Sequence, residues 1–211
     1  MKKYLVALFT VLLASLSVSA AKWEEGKHYS VAPTSKTNKA EVREYFSYYC
    51  PACRGFEASL PEIEKALPNN VTLEKTHVDF MGNTSGEIQF MISTAHAVAE
   101  KTGVASEFSS ALFNHLQTKR QSISDQDDLK AIYVSVGGNS EKFDKGMKSF
   151  SIVGEAKRNK KLQDVLSKSR YLTSVPTFVV NGKYVINNSS LDRDNFFKEF
   201  NQLIAHLLTL D

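Results

Sequence analysis

Apolar positions in the first third of the chain follow the spacing of a strand, a helix and a second strand. Residues 42–46 alternate within a run rich in β-forming side chains, and residues 71–80 have the same character. Between them, residues 50–67 have the pattern of a helix. Pro51 suits the first turn of that helix, whereas Pro61 is expected to kink or split it.

The pattern changes to helical spacing from about residue 84 to residue 150. Thr84 and Glu87 form a capping box, which predicts a helix start at this point. Apolar side chains then recur every three or four residues, and we interpret these stripes as core packing. The stripes comprise Ile88, Met91, Ile92 and Ala95; Phe108, Leu112 and Leu116; Leu129, Ile132, Tyr133 and Val136; and Phe143, Met147 and Phe150.

The last third predicts a helix, a hairpin and a final amphipathic helix. Residues 151–170 continue in helical spacing, and Asn181-Gly182 is typical of a tight hairpin turn between strands at 177–180 and 183–186. A helix over about 192–209 follows. Without residues 83–150, the order is β-α-β-α-β-β-α. This order predicts an α/β protein with a thioredoxin fold and an inserted all-helical subdomain.

The N-terminus has the composition of a cleavable export signal. Lys2 and Lys3 precede an apolar stretch at residues 5–16, and residues 18–20 are small, as at a cleavage site. The apolar stretch is shorter than the roughly 20 residues that span a bilayer. We therefore predict a signal peptide at 1–20 with Ala21 as the first mature residue. The predicted domain divisions are 1–20 for the signal peptide, 21–82 for the first part of the thioredoxin fold, 83–150 for the helical insertion and 151–211 for the second part.

Composition and charge are those of an ordinary globular protein. The 211 residues are 42% hydrophobic and 23% charged, and the formal net charge is +3. Without the two lysines of the predicted signal, the charge falls to +1, since 3 − 2 = 1 and the segment contains no acids. A nearly neutral chain gives no reason to expect nucleic acid or a membrane surface as a partner.

The two cysteines of the chain are only three residues apart, as Cys50-Pro51-Ala52-Cys53. A disulfide closing so short a loop would stabilise the fold by about 2 kcal/mol at best, so a structural staple explains the pair poorly. A C-x-x-C between a strand and a helix instead predicts a redox pair. Cys50 would be the reactive thiolate at the helix N-terminus, and Cys53 would resolve the mixed disulfide. Ala52 supplies neither charge nor a side-chain hydrogen bond.

A metal site is the alternative interpretation of the pair. Two cysteines are half of a typical zinc site, so two further ligands are required. The histidines lack the paired spacing of a zinc finger, and we expect no resident metal, although transient copper binding by the two thiolates stays open. The histidines are His28, His77, His96, His115 and His206.

Several longer segments, in addition to the cysteine pair, resemble those of a known protein family. They are residues 23–29 (WEEGKHY), 44–53 (EYFSYYCPAC), 56–57 (FE), 77–82 (HVDFMG) and 174–184 (SVPTFVVNGKY). In this order and spacing, over essentially the whole mature chain, the sequence resembles the DsbA family of periplasmic thiol:disulfide oxidoreductases, which belongs to the thioredoxin superfamily.

The resemblance implies a role for several residues. Cys50 would be the exposed attacking sulfur, and Glu44 the buried acid that handles the proton of Cys53. Val175 and Pro176 would form a cis-proline loop that pairs with an extended substrate strand. Lys75 matches a family lysine near that acid, but its strand pattern alone predicts an ordinary surface lysine.

The resemblance also implies partners and a location. It implies a periplasmic, monomeric oxidase that donates the Cys50–Cys53 disulfide to newly exported cysteine-containing proteins during their folding. A membrane DsbB-type protein with a quinone would reoxidise it, with no cofactor beyond the disulfide and no nucleic acid. Well-studied members have histidine where this chain has Ala52, which predicts a higher Cys50 pKa and a less oxidising disulfide. A disulfide isomerase or reductase therefore stays an alternative, as does a peptide-binding chaperone or copper carrier.

Overall fold

The computed structural model describes residues 22–210, so the predicted signal peptide and Ala21 lie outside the described residues. Within these residues, five strands form one mixed sheet in the order β1-β5-β4-β2-β3. Strand β2, next to one edge, pairs in parallel with β3 and antiparallel with β4, and the other pairings are antiparallel. The strands are β1 (Tyr29–Val31), β2 (Glu41–Phe46), β3 (Thr72–His77), β4 (Thr177–Val180) and β5 (Tyr184–Ile186).

Eight α-helices within residues 22–210 surround this sheet, which confirms the predicted α/β class. A five-residue π-helical segment, Asn114–Thr118, continues α4, and a short 3-10 turn at Asn188–Ser190 follows β5. None of the helices within 22–210 has the length and apolar character needed to cross a membrane. The helices are α1 (Pro51–Glu57), α2 (Leu60–Ala66), α3 (Gly86–Thr102), α4 (Ala105–Phe113), α5 (Gln126–Ser135), α6 (Ser140–Met147), α7 (Phe150–Lys168) and α8 (Phe196–Leu207).

The helix after β2 is split, as Pro61 predicts. Helix α1 ends at Glu57, and α2 begins at Leu60 with Pro61 in its first turn, where a missing N–H costs no hydrogen bond. The predicted cap of α3 is wrong by one residue. Ser85 is the N-cap, and its hydroxyl accepts a hydrogen bond from the Ile88 N–H at 3.2 Å. Adjacent threonine and serine are both good caps, so their spacing to an acid could not decide between them.

Residues 22–210 form three apolar clusters, of which two include part of α1. One joins α1, α2 and α8 to β2, β4 and β5 around Phe178 and Phe200. The other joins the helices α3–α6 to the end of β2, and it includes Phe46 and both cysteines. The helical stripes therefore pack directly against the redox pair.

Phe150 is the exception to the predicted core packing. Its side chain is 96% exposed, although Phe143 in the same stripe is fully buried. Phe150 is the first residue of α7. Because helical side chains lean toward the N-terminus, a side chain at this position points past the end of its own helix.

All the elements between β3 and β4 are helical. Helix α3 packs against α4, α5, α6 and α7. Helices α3–α6 lie within the predicted insertion at 83–150, whereas α7 follows it and leads back to β4. The division of the chain into domains stays a prediction.

Candidate active site

The redox pair lies where β2 turns into α1. The Cys50 N–H donates to the Ser47 carbonyl at 3.0 Å, and Cys50 then serves as the N-cap of α1 with Pro51 in the first turn. The Cys53 N–H donates to the Cys50 sulfur at 3.2 Å. The unpaired N–H groups of a helix N-terminus therefore face Cys50 Sγ, which is the arrangement that stabilises a thiolate.

The two cysteines differ sharply in acidity. The hydrogen bond from the Cys53 side chain, helped by the N–H groups of Cys53 and Ala52, lowers the pKa of Cys50 to about 6 against the opposing effect of burial. The same hydrogen bond, together with burial, raises the pKa of Cys53. At neutral pH the reduced pair therefore holds one proton, on Cys53. Ala52 is exposed beside the pair.

Glu44 lies on β2 beneath the redox helix, and its side chain is buried. Its register neighbours are Lys75 on the parallel strand β3 and Phe178 on β4. Burial raises the pKa of Glu44 to about 7, although Lys75 opposes the shift. The charge of Glu44 in turn raises the pKa of Cys53, so the two groups interact. A carboxyl that titrates near neutral pH can give or take a proton beside Cys53.

The expectation that Lys75 is an ordinary surface lysine is wrong. Its side chain is 14% exposed, and Nζ lies 2.6 Å from Glu57 Oε2 and 3.7 Å from Glu44 Oε2. The ammonium also lies 4.4 Å from the centre of the Phe46 ring. Lys75 therefore lies between Glu44 on β2 and Glu57 at the end of α1. The sequence analysis assigned no role to Glu57, although residues 56–57 belong to the segments that resemble the family and Glu57 lies one turn after Cys53.

The loop before β4 reaches the redox pair from a distant part of the chain. The Val175–Pro176 peptide bond is cis, as the resemblance predicts. In its thiol form Cys50 donates to the Val175 carbonyl at 3.4 Å, across 125 residues of sequence. Asn188 supports the loop by donating to the Pro176 carbonyl at 3.2 Å. A cavity of about 340 Å³ is lined by Pro176, Asn188 and their neighbours.

A second contact with the redox segment was not predicted. The amide nitrogen of Gln117, in the π-helical segment, donates to the Tyr48 carbonyl at 2.8 Å and to the Cys50 carbonyl at 3.1 Å. Next to it, Arg54 of α1 donates to the Thr118 hydroxyl at 2.7 Å. The sequence had no signal for these contacts, because they depend on how the helical region docks on the sheet.

The histidines are used in packing and hydrogen bonds. His77 Nδ1 lies 3.0 Å from the Ser93 hydroxyl, and His96 Nδ1 lies 2.7 Å from the Tyr48 hydroxyl. Over residues 22–210, no group of three or more histidine, cysteine or acidic side chains is arranged to hold a metal ion. The expectation that the protein uses no metal stays a prediction.

These features define a class of site. An acidic cysteine at a helix N-terminus, its buried partner one turn later, a buried carboxyl and a facing cis-proline loop make a dithiol–disulfide exchange centre on a thioredoxin-type sheet. Residues 41–195 match the family model described as a DSBA-like thioredoxin domain, and the chain belongs to this family.

Similar proteins agree over nearly the full length. The thiol:disulfide interchange proteins DsbA of Pectobacterium carotovorum subsp. carotovorum and of Haemophilus influenzae are each 34% identical to this chain, and each alignment covers 99% of both proteins. The DsbA structure from Klebsiella pneumoniae superposes with a TM-score of 0.75 at 30% identity, over 90% of this chain and 100% of that one. Proteus mirabilis DsbA with a non-covalently bound peptide, PWATCDS, has a TM-score of 0.78 at 26% identity, over 90% and 100% of the two chains. The predicted resemblance, fold class and oxidoreductase activity are confirmed.

Proposed function

We propose that this protein oxidises pairs of cysteines in exported proteins by transferring to them its Cys50–Cys53 disulfide. The observation that carries the proposal is the position of Cys50 at the N-cap of α1, where its sulfur accepts a hydrogen bond from the Cys53 N–H at 3.2 Å. The hydrogen bond from the Cys53 side chain, together with the N–H groups, lowers the pKa of Cys50 to about 6, and the same side-chain hydrogen bond raises the pKa of Cys53. Stabilising the Cys50 thiolate stabilises the reduced pair, and a stable reduced form makes the corresponding disulfide a strong oxidant.

The first step forms a mixed disulfide on Cys50. A substrate thiolate attacks Cys50 Sγ, a new sulfur–sulfur bond forms, and the Cys50–Cys53 bond breaks with its electron pair leaving on Cys53. The raised pKa of Cys53 means that this sulfur takes up a proton. Glu44, with a pKa of about 7, supplies that proton from beneath the pair.

The second step releases the product. The other substrate thiolate attacks the substrate sulfur of the mixed disulfide, a disulfide forms within the substrate, and Cys50 leaves as a thiolate. A low pKa makes Cys50 a good leaving group, so this release is fast. The protein is reduced by two electrons and the substrate is oxidised by two.

The loop at Val175 and Pro176 would receive the substrate backbone. The Val175 carbonyl faces Cys50 at 3.4 Å, so an extended peptide paired with it would bring its cysteine to the reactive sulfur. The structure of the Proteus mirabilis relative with the non-covalently bound peptide PWATCDS supports peptide binding in general. Main-chain pairing suits a catalyst that must accept many unfolded sequences.

The location and the reoxidising partner follow from family membership. The protein would act as a periplasmic monomer after removal of residues 1–20, with its own disulfide as the redox group and no further cofactor. A membrane protein of the DsbB type, with a quinone as electron acceptor, would restore that disulfide. The names of the relatives, thiol:disulfide interchange proteins, support the exchange activity from which we infer these assignments.

Trapping the mixed disulfide tests the reaction. Cys53→Ser removes the resolving sulfur, and this variant should accumulate a covalent complex with a reduced cysteine-containing peptide in the presence of an oxidant. Cys50→Ser is the matched control and should trap nothing. Equal trapping by both variants, or by neither, would contradict the proposed role of Cys50.

The reduction potential separates an oxidase from an isomerase or reductase. Equilibration with glutathione should give a value above about −200 mV, but less oxidising than the value of about −120 mV that is typical of a strong oxidant. The pKa of Cys50, lowered to about 6, supports an oxidising pair, and Ala52, which contributes no hydrogen bond, makes that pair less oxidising than the strongest oxidants. A value near −200 mV or below would favour isomerase or reductase work.

A further inference from the structure

The helices inserted between β3 and β4 contact the turn from β2 into α1, and they do so through a distorted helical turn. Helix α4 ends at Phe113, and the π-helical segment Asn114–Thr118 follows without a break. The Lys119 N–H donates to the Asn114 carbonyl, five residues back, at 2.9 Å. Such π turns are rare and often mark functional positions.

The π-helical segment places the side chain of Gln117 next to the redox pair. Each residue of a regular α-helix turns by about 100°, so the extra residue of a π turn rotates everything after it by about that angle. Gln117 lies within this turn, and its amide nitrogen bridges the carbonyls of Tyr48 (2.8 Å) and Cys50 (3.1 Å). Its neighbour Thr118 accepts the hydrogen bond from Arg54 on the redox helix at 2.7 Å.

We propose that Gln117 is a positioning residue that maintains the acidity of Cys50 by holding the backbone on both sides of Tyr49. This inference rests on the proposed function, because it concerns the reactivity of the same sulfur. Gln117 does not touch the sulfur. It acts through the carbonyls that fix the turn from β2 into α1.

The geometry of that turn decides whether Cys50 can receive hydrogen bonds. Cys50 has φ −97° and ψ 115°, an extended N-cap conformation that brings Sγ to 3.2 Å from the Cys53 N–H. The same residue is held at its N–H by Ser47 and at its carbonyl by Arg54 N and by Gln117. Of these three partners of the Cys50 backbone, Gln117 comes from outside the local segment, so it ties the turn to the helices inserted between β3 and β4.

Removing the Gln117 amide should weaken the hydrogen bonds to the Cys50 thiolate. Hydrogen bonds to a charged group are stronger than those to a neutral group, so their partial loss predicts a rise of about one unit in the pKa of Cys50. From a pKa of about 6, this rise lowers the thiolate stabilisation of the reduced pair about fivefold at pH 7. The glutathione equilibrium should shift toward the protein disulfide by the same factor.

Two substitutions of Gln117 distinguish the effect of its hydrogen bonds on the Cys50 pKa from the effect of a nearby charge. Gln117→Ala removes the donor, and Gln117→Glu keeps the size but replaces the donor with a carboxylate that repels both carbonyls. The exposed Gln121, four residues further on, gives the matched control Gln121→Glu. The mature protein and each variant would be titrated by thiolate absorbance and equilibrated with glutathione, with thermal unfolding measured in parallel.

Both Gln117 variants should raise the Cys50 pKa and shift the glutathione equilibrium, and Gln121→Glu should change neither. A shift in Gln117→Glu alone would show a charge effect and overturn the inference. Reduced thermal stability with an unchanged Cys50 pKa would show a merely structural contact, and would overturn it as well. If the unsubstituted protein failed to exchange disulfides with glutathione, the proposed function itself would fail, which is a different result.

Discussion

Replacing Glu44 by glutamine should change how the stability of this protein depends on pH. Burial raises the pKa of Glu44 from 4.5 to about 7, so the folded protein keeps a proton that the unfolded chain has already lost over this interval. Stability therefore falls as pH rises from about 4.5 to about 7, since the unfolded state binds fewer protons. At about 1.4 kcal/mol per unit, the loss from this one carboxyl is about 3 kcal/mol.

Glu44→Gln removes the titration but keeps the shape of the side chain. The variant should gain about 3 kcal/mol relative to the unsubstituted protein between about pH 4.5 and about pH 8. Lys75 keeps its partner Glu57 at 2.6 Å, so the substitution does not leave it as an isolated buried charge. The same variant should exchange disulfides more slowly, because Cys53 loses its proton donor.

Urea unfolding at a series of pH values measures this difference directly. Both proteins would be kept reduced, and the free energies of unfolding compared at each pH. Glu64→Gln, which changes an exposed carboxyl on α2, is the matched control. If the difference between Glu44→Gln and the unsubstituted protein stayed constant with pH, the interpretation of Glu44 as a buried acid with a raised pKa would be wrong.

Three further measurements test other parts of the structure. Thiolate absorbance of the reduced protein should titrate at Cys50 with a pKa near 6, and a midpoint near the ordinary value of about 8.5 would contradict the N-cap geometry. Phe150→Ala should change the free energy of unfolding by less than about 0.5 kcal/mol, because the Phe150 side chain is exposed. Phe143→Ala should lower the free energy of unfolding by about 3–5 kcal/mol, because the Phe143 side chain is buried. Equal losses in the two variants would contradict the assigned burial. Gly146→Ala should destabilise the protein by about 1–3 kcal/mol, since the new methyl group would lie 2.8 Å from the side chain of Val98 on α3. Gly154→Ala, where the methyl group has room, should instead stabilise the protein by about 0.5–1 kcal/mol. Chemical denaturation compares the two variants, and the reverse order of stability would refute this packing.

The order of strands and helices could be predicted because it depends on local spacing. Alternation at residues 42–46 indicated β2, and Pro61 divided the following helix as its missing N–H requires. Two sequence predictions were wrong for different reasons. Ser85 rather than Thr84 caps α3, because both neighbouring residues are suitable caps. Phe150 is exposed rather than buried, because it is the first residue of α7.

The chemistry of the cysteine pair was also local. Cys50 at the start of a helix and Cys53 one turn later follow from a C-x-x-C after a strand, so the reactive and the resolving sulfur could be assigned from the spacing of the two cysteines. The family resemblance added Glu44 and the cis-proline loop, which the C-x-x-C by itself does not indicate.

The sequence by itself therefore determined the secondary structure and the redox pair, because both depend on residues a few positions apart. Tertiary structure decided how the residues from other elements are arranged around the pair. Parallel pairing of β2 with β3 sets Lys75 against Glu44, and docking of the helical region brings Gln117 to the Cys50 carbonyl across 67 residues. These contacts depend on register and on the orientation of packed elements, which periodicity does not encode.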